Sequence, residues 1–200
     1  MAASPSVLQK EAAARQFRLD NPNARIMNQF DKPHKIAAKR ISTGATALQS
    51  ANNALQSVST MLGVDPAEFI EVGPFPNGVH SIQLGYQPDS GEYKFTSVYW
   101  KQTADGLPVY DTRLNILVRN VQDYPAVYVT SNLRDVGGFK AKESLRPNRQ
   151  MAQGAAARRL GVGSTISDPE IVCFAGVEDM KMSPRTAMVF DAENGSKSDS

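Results

Sequence analysis

Two histidines, one cysteine and a few aspartates set near turns are the residues of this 200-residue chain whose types most readily suggest chemistry. A zinc hydrolase of the commonest helical kind needs His-Glu-x-x-His, because two imidazoles one turn apart can grip the metal while the intervening carboxylate activates water. His34 and His80 stand forty-six positions apart and neither is followed by Glu, so no zinc site of that type is expected. His34 lies beside Lys32 and Lys35 and reads as a surface residue. Cys173, the single cysteine, excludes an internal disulfide; within Ile171-Val172-Cys173-Phe174 it reads as a buried, inert thiol. Asp105, Asp111 and Asp123 are explained by turn formation more simply than by paired acid–base catalysis. Met180 and Met182 read as loop or edge-strand residues with no basis for metal binding. Gly-x-Ser-x-Gly, a phosphate-binding glycine loop and Cys-x-x-Cys are missing from the sequence. The expectation is a chain without catalytic residues and without a cofactor of its own.

The elements that would position any functional residue centre on Tyr93 to Phe139. Tyr93, Phe95, Ser97, Tyr99 and Lys101 alternate with Lys94, Thr96, Val98, Trp100 and Gln102, an aromatic and β-branched composition suited to a pleated surface. Asp105-Gly106 predicts a tight hairpin turn, since Gly accepts positive φ. The return runs through Leu107-Pro108-Val109-Tyr110, a bend at Asp111-Thr112-Arg113, and Leu114, Ile116 and Val118. A turn at Gln122 to Pro125 and a third strand, Ala126 to Ser131, complete an antiparallel meander.

In this stretch, VYWKQTADGLPVYDTRLNILVRN resembles the fungalysin/thermolysin propeptide motif. The matching positions are Tyr99, Trp100, Gln102, Gly106, Leu107, Pro108, Val109, Tyr110, Leu114, Ile116 and Val118; Asp111-Thr112 stand where most members have Gly. The resemblance implies the non-catalytic pro-region of a secreted zinc metallopeptidase, acting as inhibitor and folding assistant of the protease domain. It implies a partner, the metallopeptidase catalytic domain in cis or in trans, with zinc only in that domain, and neither nucleic acid nor membrane as partner. The sheet and hairpin tip would support the contact, giving Gln102, Leu107, Pro108, Val109 and Tyr110 as partner-binding candidates. Leu107 and Tyr110 are the expected exposed apolar anchors, because a tip projects from its sheet and Pro108 stiffens it. The competing assignment makes the same residues a plug over the core. A free-standing cystatin-like protein-binding domain is the alternative function, recognising a partner through the sheet edge or hairpin tip.

Around this stretch the fold class is expected to be α+β, with two cystatin-like helix-on-antiparallel-sheet units, joined near residues 139 to 146. With 41% apolar content the chain can bury a core, and its net charge of +2 selects no partner. Residues 1–42 hold eight Lys/Arg against three Asp/Glu and read as a basic N-terminal helix, capped by Ser6 and reaching Phe17 or Leu19, followed by an extended arm packed by Ile26, Met27 and Phe30. Residues 43–139 form the propeptide-motif domain. Its helix puts Leu48, Ala51, Leu55, Val58 and Leu62 on one face and Gln49, Asn52, Asn53, Gln56 and Ser59 on the other, with Gly63 as the stop. Strands are expected at Phe69 to Val72 and Val79 to Tyr86.

Lys140 to Arg146 reads as charged linker. Residues 147–193, a helix Pro147 to Leu160 with Met151, Ala155 and Leu160 inward and then strands Glu170 to Val177 and Arg185 to Phe190, resemble the first half of a PepSY domain. Residues 194–200 form a polar, frayed tail. No run approaches the ~20 apolar residues that span a bilayer, and Met1 is not followed by a signal-like basic and apolar pair of regions. Secretion is therefore expected from the resemblance alone.

Overall fold

Ser6 starts the first helix with a reciprocal cap: its hydroxyl accepts from Gln9 N, and Gln9 Oε1 accepts from Ser6 N at 2.7 Å. This satisfies two backbone donors that a helix start leaves orphaned. The computed structural model describes residues 5–29, 32–141, 148–177 and 180–193 of the chain. Expected packing by Phe30, the linker over 142–146, a helix start at Pro147 and the tail 194–200 lie outside the described residues. The architecture is α+β, with antiparallel sheets. Two compact units divide the chain, one of Met1–Thr103 and Asp111–Arg134, the other of Ala104–Tyr110 and Asp135–Ser200.

The first unit begins with α1 (Val7–Asp20), β1 (Arg25–Gln29), β2 (Lys32–Ser42) and α2 (Ala47–Leu62). A short 3-10 helix, Pro66–Glu68, is capped by Asp65 and leads to β3 (Phe69–Ile70), β4 (Ser81–Gln87) and β5 (Glu92–Ala104). After a two-residue turn, β6 (Leu107–Pro108) follows, then β7 (Leu114–Arg119) and β8 (Ala126–Ser131). The main sheet runs β1-β2-β8-β7-β5-β3, and β4 pairs β5 on the same edge as β3. Residues 25–29 and 32–42 are therefore paired strands and not the expected extended arm. Ile36 sits opposite Val129 of β8 and is 1% exposed, so burial of its side chain draws the segment into the sheet despite weak periodicity.

Helix α2 lies against β2, β7 and β8, and α1 packs on α2. Thr46 caps α2 and Gly63 ends it in the left-handed region, φ 75°. Ala51, Leu55, Val58 and Leu62 face the core as expected, together with Ala54 and Met61. Two assignments on this helix are corrected: Leu48 is exposed at the first turn, and Ser59 is buried, its hydroxyl donating to Gln56 O at 3.0 Å. That local bond removes the cost of placing a hydroxyl against the core. Val98, Trp100, Leu114, Ile116, Val118 and Val129 supply the sheet side of the same cluster. Each large apolar side chain so buried contributes roughly 1.5–3 kcal/mol before entropy is charged against it.

The second unit contains the turn and β6, then α3 (Arg149–Leu160), β9 (Thr165–Ile166), β10 (Glu170–Val177), β11 (Met180–Val189) and β12 (Ala192–Glu193). β10 pairs β11 and β9 pairs β12, both antiparallel. Helix α3 is capped by Asn148 and contacts β9. Its buried positions are Ala152 and Ala156, whereas Met151 and Leu160 are exposed and Ala155 is half-buried. The expected stripe is thus rotated onto Ala152 and Ala156, which stand four positions apart on one face of the helix. β11 also starts earlier than Arg185, at Met180.

Candidate functional site

The turn between β5 and β6 is built as its sequence dictates. Asp105 has φ 46° and Gly106 φ 80°, two successive positive values that match the twist of a hairpin. Beyond the turn, the chain does not project as a free tip. Val109 forms a parallel bridge to Cys173 of β10, and Tyr110 N donates to Cys173 O at 2.9 Å. Val109 and Cys173 are both 0% exposed, in a cluster with Ala104 and Phe139 against which Leu107 packs. The Tyr110 ring lies 5.6 Å from that of Phe174, with the Arg185 guanidinium 5.5 Å from the Phe174 ring centre on which it rests. On the turn itself, Asp105 Oδ2 accepts from Ala141 N at 2.9 Å.

Gln102 has a different environment, within the first unit. It is 1% exposed, and its side-chain amide reads the backbone of Arg134 at both ends: Nε2 donates to Arg134 O at 3.1 Å, and Oε1 accepts from Arg134 N at 2.9 Å. An amide used this way imitates one rung of a sheet ladder beyond the end of β8. Beside it, Arg134 Nη2 donates to Asp111 Oδ2 at 3.2 Å, and Asn132 Nδ2 donates to Asp111 O at 2.9 Å. Asp111 takes φ 51°, so the bend where Gly is common in the resembling family is made here by an aspartate whose strain these bonds offset.

Of the five candidate contact residues, Gln102 and Val109 therefore have no surface to offer a partner, while Leu107, Pro108 and Tyr110 are half-buried. The anchors expected to be exposed serve as packing for the second unit. The long-range pairing of Val109 with residue 173 leaves no signature in local sequence.

Reactive side chains are engaged elsewhere. His34 is half-buried rather than a surface residue; its Nδ1–H donates to Ser131 O at 2.5 Å, fixing the tautomer because a carbonyl only accepts. His80 Nε2 lies 3.5 Å from Glu71 Oε2, within ion-pair distance but outside hydrogen-bond geometry. Burial pushes the Cys173 thiol up to about 11 and desolvation raises the Glu68 carboxyl. Among the described residues no three His, Cys, Asp or Glu side chains gather as a metal-binding group, and no helix is long and apolar enough to cross a membrane.

The feature sequence reasoning passed over is the second face of the main sheet. Residues directly opposite in a ladder share a face, so register alone collects Ile82, Ser97, Leu117, Tyr128, Ala37 and Arg25 in one row across the strands. A neighbouring row holds Tyr99, Asn115, Thr130, Lys35 and Met27. Leu84, Phe95 and Arg119 form a third, Tyr86 lies opposite Tyr93, and Ile70 opposite Lys101. Except for Ser97, which bonds Asn115 Nδ2, all of these are half-buried or exposed. The signal was present in the alternation of β5, where both faces are aromatic.

Compared with known proteins, the chain matches no family model and no curated sequence.

Proposed function

We propose that the chain is the non-catalytic pro-region of a secreted zinc metallopeptidase, holding the catalytic domain inactive and assisting its folding. The observation that carries this reading is the use made of the motif residues: Asp105-Gly106 make the turn, Gln102 clamps the chain beyond β8, and Trp100, Leu114, Ile116 and Val118 form the sheet side of the core under α2. Zinc belongs to the peptidase in this reading.

Hydrolysis of a quenched-fluorescent peptide by a thermolysin-like catalytic domain, followed while the purified chain is titrated in, tests the proposal. Slowed hydrolysis with saturable binding is expected; neither binding nor slowing overturns it. A free-standing protein-binding module is the second reading, favoured by the partly exposed aromatic side chains on the second face of the main sheet. Persistent binding to a protein other than a peptidase, with no effect on hydrolysis, selects that one.

A further inference from the structure

The second face of the main sheet spans six strands, β4-β5-β7-β8-β2-β1, about 24 Å across at ~4.8 Å per strand. Its strand positions carry Tyr86, Tyr93, Phe95, Tyr99 and Tyr128, with Ile70, Ile82, Leu84, Leu117 and Met27 between them. Leu84 is 40% exposed, Tyr86 56% and Met27 51%. Tyr93, Phe95, Tyr99 and Tyr128 are half-buried, so the face keeps part of its apolar surface in reach of a partner. Charge decides what kind. Arg25, Lys35, Lys101 and Arg119 stand on the same face, none makes an ion pair among the described residues, and no paired position on it is acidic.

We propose that this face docks a protein partner whose own surface sets carboxylates among apolar side chains; in the pro-region reading, on which the choice of partner rests, that is the peptidase catalytic domain. Four cations with no ion-pair partner among the described residues, set among apolar side chains, match a partner of opposite sign, which steers encounter and fixes orientation. A second copy of the chain is disfavoured, because a two-fold pairing of this face would bring like charges together. Single-stranded nucleic acid is disfavoured by the aliphatic residues between the aromatics and by Tyr86 and Tyr93, whose rings pack on each other at 5.1 Å and a 56° tilt rather than as free platforms.

The test uses the full chain and three fluorescein-labelled probes in anisotropy titrations: a peptide alternating glutamate and leucine, its lysine–leucine counterpart, and a single-stranded thymidine oligonucleotide. The acidic peptide is expected to bind most tightly and to weaken about tenfold as salt is raised. It should weaken at least as much in Lys101→Glu/Arg119→Glu, with a thermal melt like that of the wild type. If that variant does not fold, Leu84→Ser, at an exposed position, makes the same comparison. Equal affinity for the two peptides, or tightest binding to the oligonucleotide, overturns the proposal. Inhibition of the peptidase that is identical in wild type and variant overturns the face and leaves the pro-region intact; peptide binding through the face without any effect on the peptidase does the reverse.

Discussion

Gln102 shows at the scale of one residue how a motif position is used. Its amide satisfies both the N–H and the C=O of Arg134 in a site 1% exposed, so truncation leaves buried polar groups unpaired. Gln102→Ala is expected to cost about 1–3 kcal/mol in urea denaturation. An unchanged unfolding midpoint combined with weakened peptidase inhibition would return Gln102 to the contact surface. Cys173 makes a second residue-scale prediction. Its folded pKa, about 11, lies above the ordinary value of 9.0, so the folded state holds the proton where the unfolded chain has lost it. Stability contributed by the neutral thiol is complete below pH 9 and declines as pH rises from there toward 11. Iodoacetamide should leave the native protein unmodified at neutral pH and alkylate it in denaturant; rapid native alkylation would place the thiol at the surface.

At the scale of elements, β2 is the strand that most alters the first unit. It lies between β1 and β8, with Ile36 opposite Val129 and 1% exposed, so the N-terminal segment is part of the first unit's core. Ile36→Ala is expected to destabilise by about 2–5 kcal/mol, as a cavity adds to the lost burial. Deleting residues 1–42 should abolish the cooperative melt of the first unit. A truncated chain that melts like the intact one would restore the arm as a mere appendage. Helix α2 follows its predicted periodicity from Ala51 onward, since Ala51, Leu55, Val58 and Leu62 recur at steps of three and four and are buried, while Leu48, the expected first member, is exposed.

Across the whole molecule, the chain leaves the first unit at Ala104, contributes seven residues to the second, and returns at Asp111 before leaving again at Asp135. The hairpin tip is thus an integral part of the second unit's core, with Val109 wholly buried against Cys173 and Phe139. A fragment ending at Arg134 retains the tip and loses every one of those partners. It should bind a hydrophobic dye and self-associate where the full chain does not. A monomeric fragment that ignores the dye would show that the tip packs without residues 135–200.

Local sequence by itself determined the α+β class, the capped first helix, the stripe of α2, the Asp105-Gly106 turn and the meander of β5, β7 and β8, because caps, turns and periodicity act over a few residues. Pairings across long stretches of chain were decided only by the tertiary structure: β2 with β8, Gln102 with Arg134, and Val109 with Cys173. Tertiary packing also chose Ala152 and Ala156 over Met151 and Leu160 as the buried face of α3. The candidate docking face belongs with these. Its residues come from seven strands, and only the register of the ladders brings four cations and five aromatics to one side.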